Sequence, residues 1–209
     1  MTDQFGRGRG RPIRRAFSFV GLLVAAALLL PAPLLAEIFM GKNQAIERAF
    51  PDADRIERQT HVLTREEAKA LEDASKSELP SRLITIYKGW KGDEIIGYMH
   101  IDVHPIRARS AALMIVLSPT GRVEEIMLLA FHEDTDYMLP SESLDALKGK
   151  TVGDAVEVGV DVDGFSGATL TVNSTTAAVR RALAYYSVLL KSEQADQDTE
   201  AAIKPAALP

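Results

Sequence analysis

Ser118-Pro119-Thr120-Gly121 separates two apolar runs, Ala111 to Leu117 and Arg122 to Phe131. Proline presets the first turn dihedral and glycine accepts the positive φ that closes a tight turn, so the segment predicts a β-hairpin. Upstream, Leu83 to Tyr87 and Glu94 to Val103 flank a turn signal at Gly89 to Asp93, with Trp90 read as a loop residue at its tip. Hairpins in succession build an antiparallel sheet. Helical patterns surround it. Residues 41–50 read as a short helix stopped by Pro51, and Ser141 to Leu147 as another. Thr64-Arg65-Glu66-Glu67 is a capping box that opens a helix to about Ala74. From about Thr171 to Leu190, residues Val172, Val179, Leu183, Tyr186 and Leu190 fall on one stripe. Val156 to Val162 alternates like a strand. The expected class is α+β, an antiparallel sheet with flanking helices.

The chemistry concentrates just before the last helical run, in Asp163-Gly164-Phe165-Ser166-Gly167-Ala168-Thr169-Leu170-Thr171. Gly164 and Gly167 allow a tight turn and close approach of another molecule. A helix that starts here aims free N–H groups and its positive dipole end back at the loop, an arrangement suited to phosphate. Ser, Thr and Asn equally suit a plain helix cap.

The register Asp163-x-x-Ser166-Gly167-Ala168-Thr169 resembles the flavinylation motif of the FMN-binding domain family, found in the G subunit of Rnf complexes and the C subunit of sodium-pumping NADH:quinone oxidoreductase. The resemblance implies FMN held covalently, as a phosphoester, on Thr169 by a separate FAD-dependent FMN transferase. Ser166, Gly167 and Ala168 would contact the phosphate, with Thr171 beside them, and Asp163 would serve recognition by the transferase. It also implies a carrier of electrons between membrane redox proteins more than a stand-alone enzyme. His132-Glu133-Asp134-Thr135 resembles the family's His-x-Glu-Thr-Pro-Gly stretch but lacks the Pro-Gly. On this reading residues 83–191 form a single FMN-binding domain, 37–82 a helical and strand extension, and 192–209 a disordered tail. The alternative is a non-redox exported binding module that keeps the same fold.

Five arginines and one acid occupy residues 1–36, which leaves 19 basic and 28 acidic residues in the remainder, a net of −9. So acidic a body argues against nucleic acid as a partner. A basic start, the uncharged run Phe17 to Leu30, Pro31 and Pro33, and Ala36 ahead of Glu37 have the layout of a signal peptide cut after Ala36. Extended to Met40, the run could instead serve as an N-terminal membrane anchor. Arg14-Arg15-x-Phe17 also resembles a twin-arginine signal. The body is expected in the periplasm or at the outer face of the cytoplasmic membrane.

No cysteine is present, which excludes disulfides, thiol catalysis and Cys-bound clusters. Gly164-Phe165-Ser166-Gly167-Ala168 approaches a nucleophile elbow, but no histidine follows His132. His100 and His104 read as packed or solvated strand residues rather than metal ligands, with Asp102 assigned to the opposite face. Trp90, Tyr185 and Tyr186 are candidates to stack on a flavin, with Tyr186 expected in the helix core.

Overall fold

The computed structural model describes residues 37–160, 162–164 and 166–191. The segments read as a leader (1–36) and a tail (192–209), together with Asp161 and Phe165, lie outside the described residues. Among the described residues no helix is long and apolar enough to cross a membrane.

In chain order the elements are β1 (Glu37–Ile38), α1 (Lys42–Ala49), β2 (Arg55–Val62), α2 (Arg65–Ser75), β3 (Leu83–Lys91), β4 (Glu94–Pro105), β5 (Ser110–Leu117) and β6 (Val123–Phe131). A 3₁₀ turn (Thr135–Tyr137), α3 (Ser141–Asp145) and α4 (Thr169–Tyr185) follow, and α4 runs into a π-turn at Tyr186–Leu190. The six strands form one antiparallel sheet in the order β1-β6-β5-β4-β3-β2. The 37–82 segment thus supplies both edge strands of the sheet.

The α2 capping box forms as its residues require. The Thr64 hydroxyl accepts the Glu67 N–H at 3.1 Å, and the Glu67 carboxylate accepts the Thr64 N–H at 2.8 Å. Those bonds favour the ionised carboxylate, so the Glu67 carboxyl sits below its usual range. Alternation along the strands divides the core in two. One sheet face packs Ile84, Ile86, Tyr98, Leu113 and Ile115 against α2 and α4. On it the predicted stripe of Val172, Val179, Leu183, Tyr186 and Leu190 is buried throughout. Each fully buried Val or Leu contributes about 1.5–3 kcal/mol. The other face packs Tyr87, Met99, Met114 and Val116 beneath Ala45 of α1 and Phe50.

Three local expectations are corrected. Trp90 belongs to β3, which runs on to Lys91 before a two-residue turn. It is 9 % exposed, its Nε1 donates to Glu57 at 3.1 Å, and the Arg55 guanidinium lies 4.6 Å from its ring centre. The alternating stretch Val156 to Val162 makes only an isolated bridge, Val158 to Val162. Left-handed backbone at Val156 (φ 45°) and Gly159 (φ 84°) breaks its extension. The helix read from Thr171 begins two residues earlier, at Thr169.

The predicted 118–121 hairpin connects β5 to β6. Gly121 has φ 77°, and a Cβ there would run into the Tyr186 ring, whose hydroxyl donates to Pro119 O at 3.0 Å. The turn is thereby tied to the end of α4. Gly121→Ala is expected to cost about 1–3 kcal/mol through overpacking, plus strain at the positive φ. Urea denaturation of the purified variant measures it.

Candidate functional site

The 163–171 loop arrives at α4 through Gly167 in the left-handed region, φ 91°. Ala168 then occupies the N-cap, with φ −115° and ψ 24°, and among the described residues no side chain caps the helix. The first turn of a helix leaves its N–H groups without intrahelical partners. The rival reading of a plain Ser, Thr or Asn cap is therefore not met, and among the described residues the small Ala168 leaves the end uncovered by a side chain. Thr169 is the first helical residue and is exposed, as are Asp163, Ser166 and Gly167. Ala168 and Thr171 are buried.

Two polar ties fix this end of α4, and a third holds the helix farther along. Thr171 Oγ1 donates to Tyr137 O at 2.7 Å, which joins the helix to the 3₁₀ turn. Ser174 Oγ donates to Pro105 O at 3.3 Å, at the end of β4. Arg180 donates from Nε to Ser75 O and from its guanidinium tip to Val156 O, both at 2.8 Å. The loop therefore presents Thr169 from a braced helix.

Beside Thr169 lies a cavity of about 240 Å³ walled by Ile106, Arg107, Tyr137 and residues 167–171. Arg107 is exposed, its guanidinium carbon is 6.0 Å from the Tyr137 ring centre, and it donates to the Tyr137 hydroxyl at 3.5 Å. A guanidinium over a tyrosine face keeps its charge and its free N–H groups. Arg107 falls in the basic connection between β4 and β5, where no local motif singles it out.

Glu133, from the stretch with the incomplete family resemblance, shapes that connection. Its carboxylate accepts the N–H groups of Ala108 and Arg109, both at 2.6 Å. The backbone bond from Arg109, with that from Ala108, holds its carboxyl below the usual range. Asp134 accepts the Asp136 N–H at 3.1 Å and so starts the 3₁₀ turn that carries Tyr137.

A buried polar network lies behind the braced helix. Residues two apart in a strand share a face, and His100, Asp102 and His104 all point toward α4, which corrects the placement of Asp102 on the opposite face. The Arg181 guanidinium makes a two-pronged contact with Asp102, at 2.8 and 2.9 Å, and His104 Nδ1 donates to the same carboxylate at 2.8 Å. Asp102, His104 and Arg181 are 1 %, 4 % and 5 % exposed. Burial alone would raise the Asp102 carboxyl, but the bonds from His104 and Arg181 outweigh it and hold it well below the ordinary carboxylate range. Burial pushes His100 down. Burial also pushes the Tyr185 hydroxyl up, reinforced by the Asp102 charge.

Of the aromatic candidates for stacking, Trp90, Tyr185 and Tyr186 are all core residues. Tyr185 packs edge-on against His100 at 5.0 Å, and Tyr186 against Tyr98 at 5.8 Å. Among the described residues, the aromatic ring in the wall of the cavity beside Thr169 is that of Tyr137.

No curated protein matches the chain. Residues 109–184 match the family model of the FMN-binding domain, a span that runs from the start of β5 through the 163–171 loop to the end of α4. The match lies within an α+β fold, a six-stranded antiparallel sheet with flanking helices, and it is to the family whose motif Asp163 to Thr169 resembles.

Proposed function

We propose that the chain is an exported electron-transfer flavoprotein that carries FMN as a phosphoester on Thr169. The family match supports FMN as the cofactor. The observation that carries the attachment site is the exposed hydroxyl-bearing Thr169 at an uncapped helix N-terminus, with Arg107 on the wall of the adjoining cavity. These residues fit a phosphate. The helix dipole and free N–H groups favour negative charge, and a guanidinium adds charge-assisted bonds.

Attachment is the work of a FAD-dependent FMN transferase. The Thr169 hydroxyl oxygen bonds to the flavin-side phosphorus of FAD, the pyrophosphate bond breaks and AMP leaves. The hydroxyl proton passes to a base of the transferase. Gly167 and Ala168 keep the approach free of bulk, Ser166 offers a hydroxyl to the phosphate, and Thr171 holds the first helical turn on Tyr137. Asp163, exposed ahead of the loop, serves recognition by the transferase. The bound flavin supplies the redox chemistry, and the protein supplies its position and surroundings. The basic and apolar layout of residues 1–36 supports a place in the periplasm or on the outer face of the cytoplasmic membrane, with membrane redox proteins as partners. The division into leader, 37–82 extension, 83–191 domain and tail belongs to the same proposal.

Incubation of the purified chain with FAD, magnesium and a FMN transferase of this class tests the attachment. The expected product is one FMN on the peptide that contains Thr169, and an unmodified peptide from a transferase active on its own substrate would overturn it. Arg107→Ala is expected to slow flavinylation about tenfold or more, the equivalent of losing one charge-assisted bond of about 1.5–3 kcal/mol. Its melting temperature should stay unchanged, because Arg107 is exposed.

A further inference from the structure

The sheet forks. Pairing between β3 and β4 ends at Ile86 and His100. Beyond that rung, among the described residues, β3 runs on to Leu83 paired with β2 alone, and β4 runs on to Pro105 paired with β5 alone. Where the next backbone rung would stand, His100 Nδ1 donates to Thr85 O at 2.9 Å. The strands part around that side chain and leave a cleft of about 520 Å³. Such a volume is in the range of preformed small-molecule sites.

The walls of the cleft differ from end to end. Leu83 and Val103, one from each arm of the fork, are 57 % and 54 % exposed, and Ile101, Ala112 and Leu129 continue the apolar lining. Contiguous apolar surface left open to water marks a place where something binds. Lys42 at the start of α1 and Arg58 of β2 also wall the cleft. Arg58 stands opposite Tyr87 in the ladder, so it belongs to the sheet face that α1 covers. Both cations are exposed, and neither has an acidic partner among the described residues. On the α4 face the walls are Asp102 and Tyr185. Tyr185 is 3 % exposed, and its hydroxyl has no hydrogen-bond partner among the described residues. Burial keeps that hydroxyl protonated, so it is a donor in search of an acceptor.

This polarity selects a ligand and its direction. A negative head at the α4 end would meet the Asp102 charge. At the α1 end it meets two cations without counter-charges, where a carboxylate gains charge-assisted hydrogen bonds. A bilayer surface fits less well, because residues 37–209 carry a net −9 that opposes approach to anionic lipid, whereas a single carboxylate needs only the two local cations.

We propose that the cleft between β3 and β4 binds a small amphiphilic carboxylate, with its head on Lys42 and Arg58, its apolar body between Leu83 and Val103, and an oxygen within reach of the Tyr185 hydroxyl. The cleft shares no wall residue with the cavity at Thr169, so the site stands apart from the flavin attachment.

Calorimetric titration of the purified full chain tests it, with ω-hydroxydodecanoate and dodecanoate as probes below their micelle concentrations. Saturable binding of one molecule of either acid is expected, and none of dodecyltrimethylammonium, which reverses the head charge. Lys42→Glu with Arg58→Glu is expected to weaken both acids about tenfold or more. The melting temperature should hold, because both side chains are exposed. Tyr185→Phe removes only the oxygen without a partner, and is expected to weaken the hydroxy acid about threefold or more while dodecanoate is unaffected. No saturable binding of either acid, or undiminished binding in the folded double variant, would overturn the site. Sedimentation with phosphatidylcholine vesicles by a chain that takes up neither free acid would overturn it in favour of a bilayer contact.

Discussion

Replacement of Asp102 by asparagine is expected to remove about 3–5 kcal/mol of stability, a large part of what a domain of this size has. The loss comes from what stays behind. The Arg181 guanidinium, 5 % exposed, would keep its charge in the core without a counter-charge, and the amide NH₂ would present donors toward donors. Asparagine preserves shape, so the effect reports charge and hydrogen bonding rather than a cavity. A joint replacement, Asp102→Leu with Arg181→Met and His104→Leu, is expected to recover most of the loss, because a buried polar network exchanged whole for apolar groups is close to neutral. Urea denaturation at neutral pH measures both. A cost under about 1 kcal/mol for Asp102→Asn, the scale of an exposed ion pair, would contradict the network as described.

The same carboxylate fixes the sign of the acid response. Its pKa is depressed in the folded chain, so its contribution is fully present above the unfolded value near about pH 4. It is lost as pH falls through the lower folded value. The wild type should therefore lose stability steeply below about pH 4, and the Asp102→Asn variant less steeply.

The second large effect is all-or-none. Thr169→Ala is expected to abolish covalent flavin and leave the fold intact. Thr169 is exposed at the first helical position, where alanine is a good helix former, so stability should change by no more than about 0.5 kcal/mol. Thr169→Ser keeps a hydroxyl at the same site and is expected to retain partial flavinylation. Covalent flavin in Thr169→Ala, read as visible absorbance that survives denaturation and gel filtration, would remove Thr169 from its role.

What could be read in advance follows from how local each signal is. The 64–67 capping box and the 118–121 hairpin depend on side chains three or four residues apart, and both are found as read. The helix stripe from Val172 to Leu190 depends on period alone and is buried as expected. α4 starts two residues ahead of the expected Thr171 because its start is set by the positive φ of Gly167 and by Ala168, a residue with no capping side chain. Trp90 looked like a loop residue because Gly89, Gly92 and Asp93 surround it. Its indole is held by Glu57 on the neighbouring strand, a contact with no local trace. Val156 to Val162 has a strand's alternation but, among the described residues, no partner strand, and alternation without pairing does not make a strand.

At the site, the motif residues were legible and their supports were not. Thr169, Ser166 and Gly167 stand together because they fall within four residues of the chain. Arg107 reaches the same cavity only because the β4–β5 connection folds back on Tyr137, 30 residues later. Asp102 and Arg181 meet across 79 residues. Their pairing was within reach in one respect: strand alternation alone places Asp102 on the face of His100 and His104, and that face needs a buried cation.

The central claim is that this chain carries flavin on Thr169. The most direct measurement is the intact mass of the protein purified from its own host, followed by peptide mapping. The account predicts one added FMN less water, located on the peptide that contains Thr169. An unmodified mass from a host with an active transferase would contradict it.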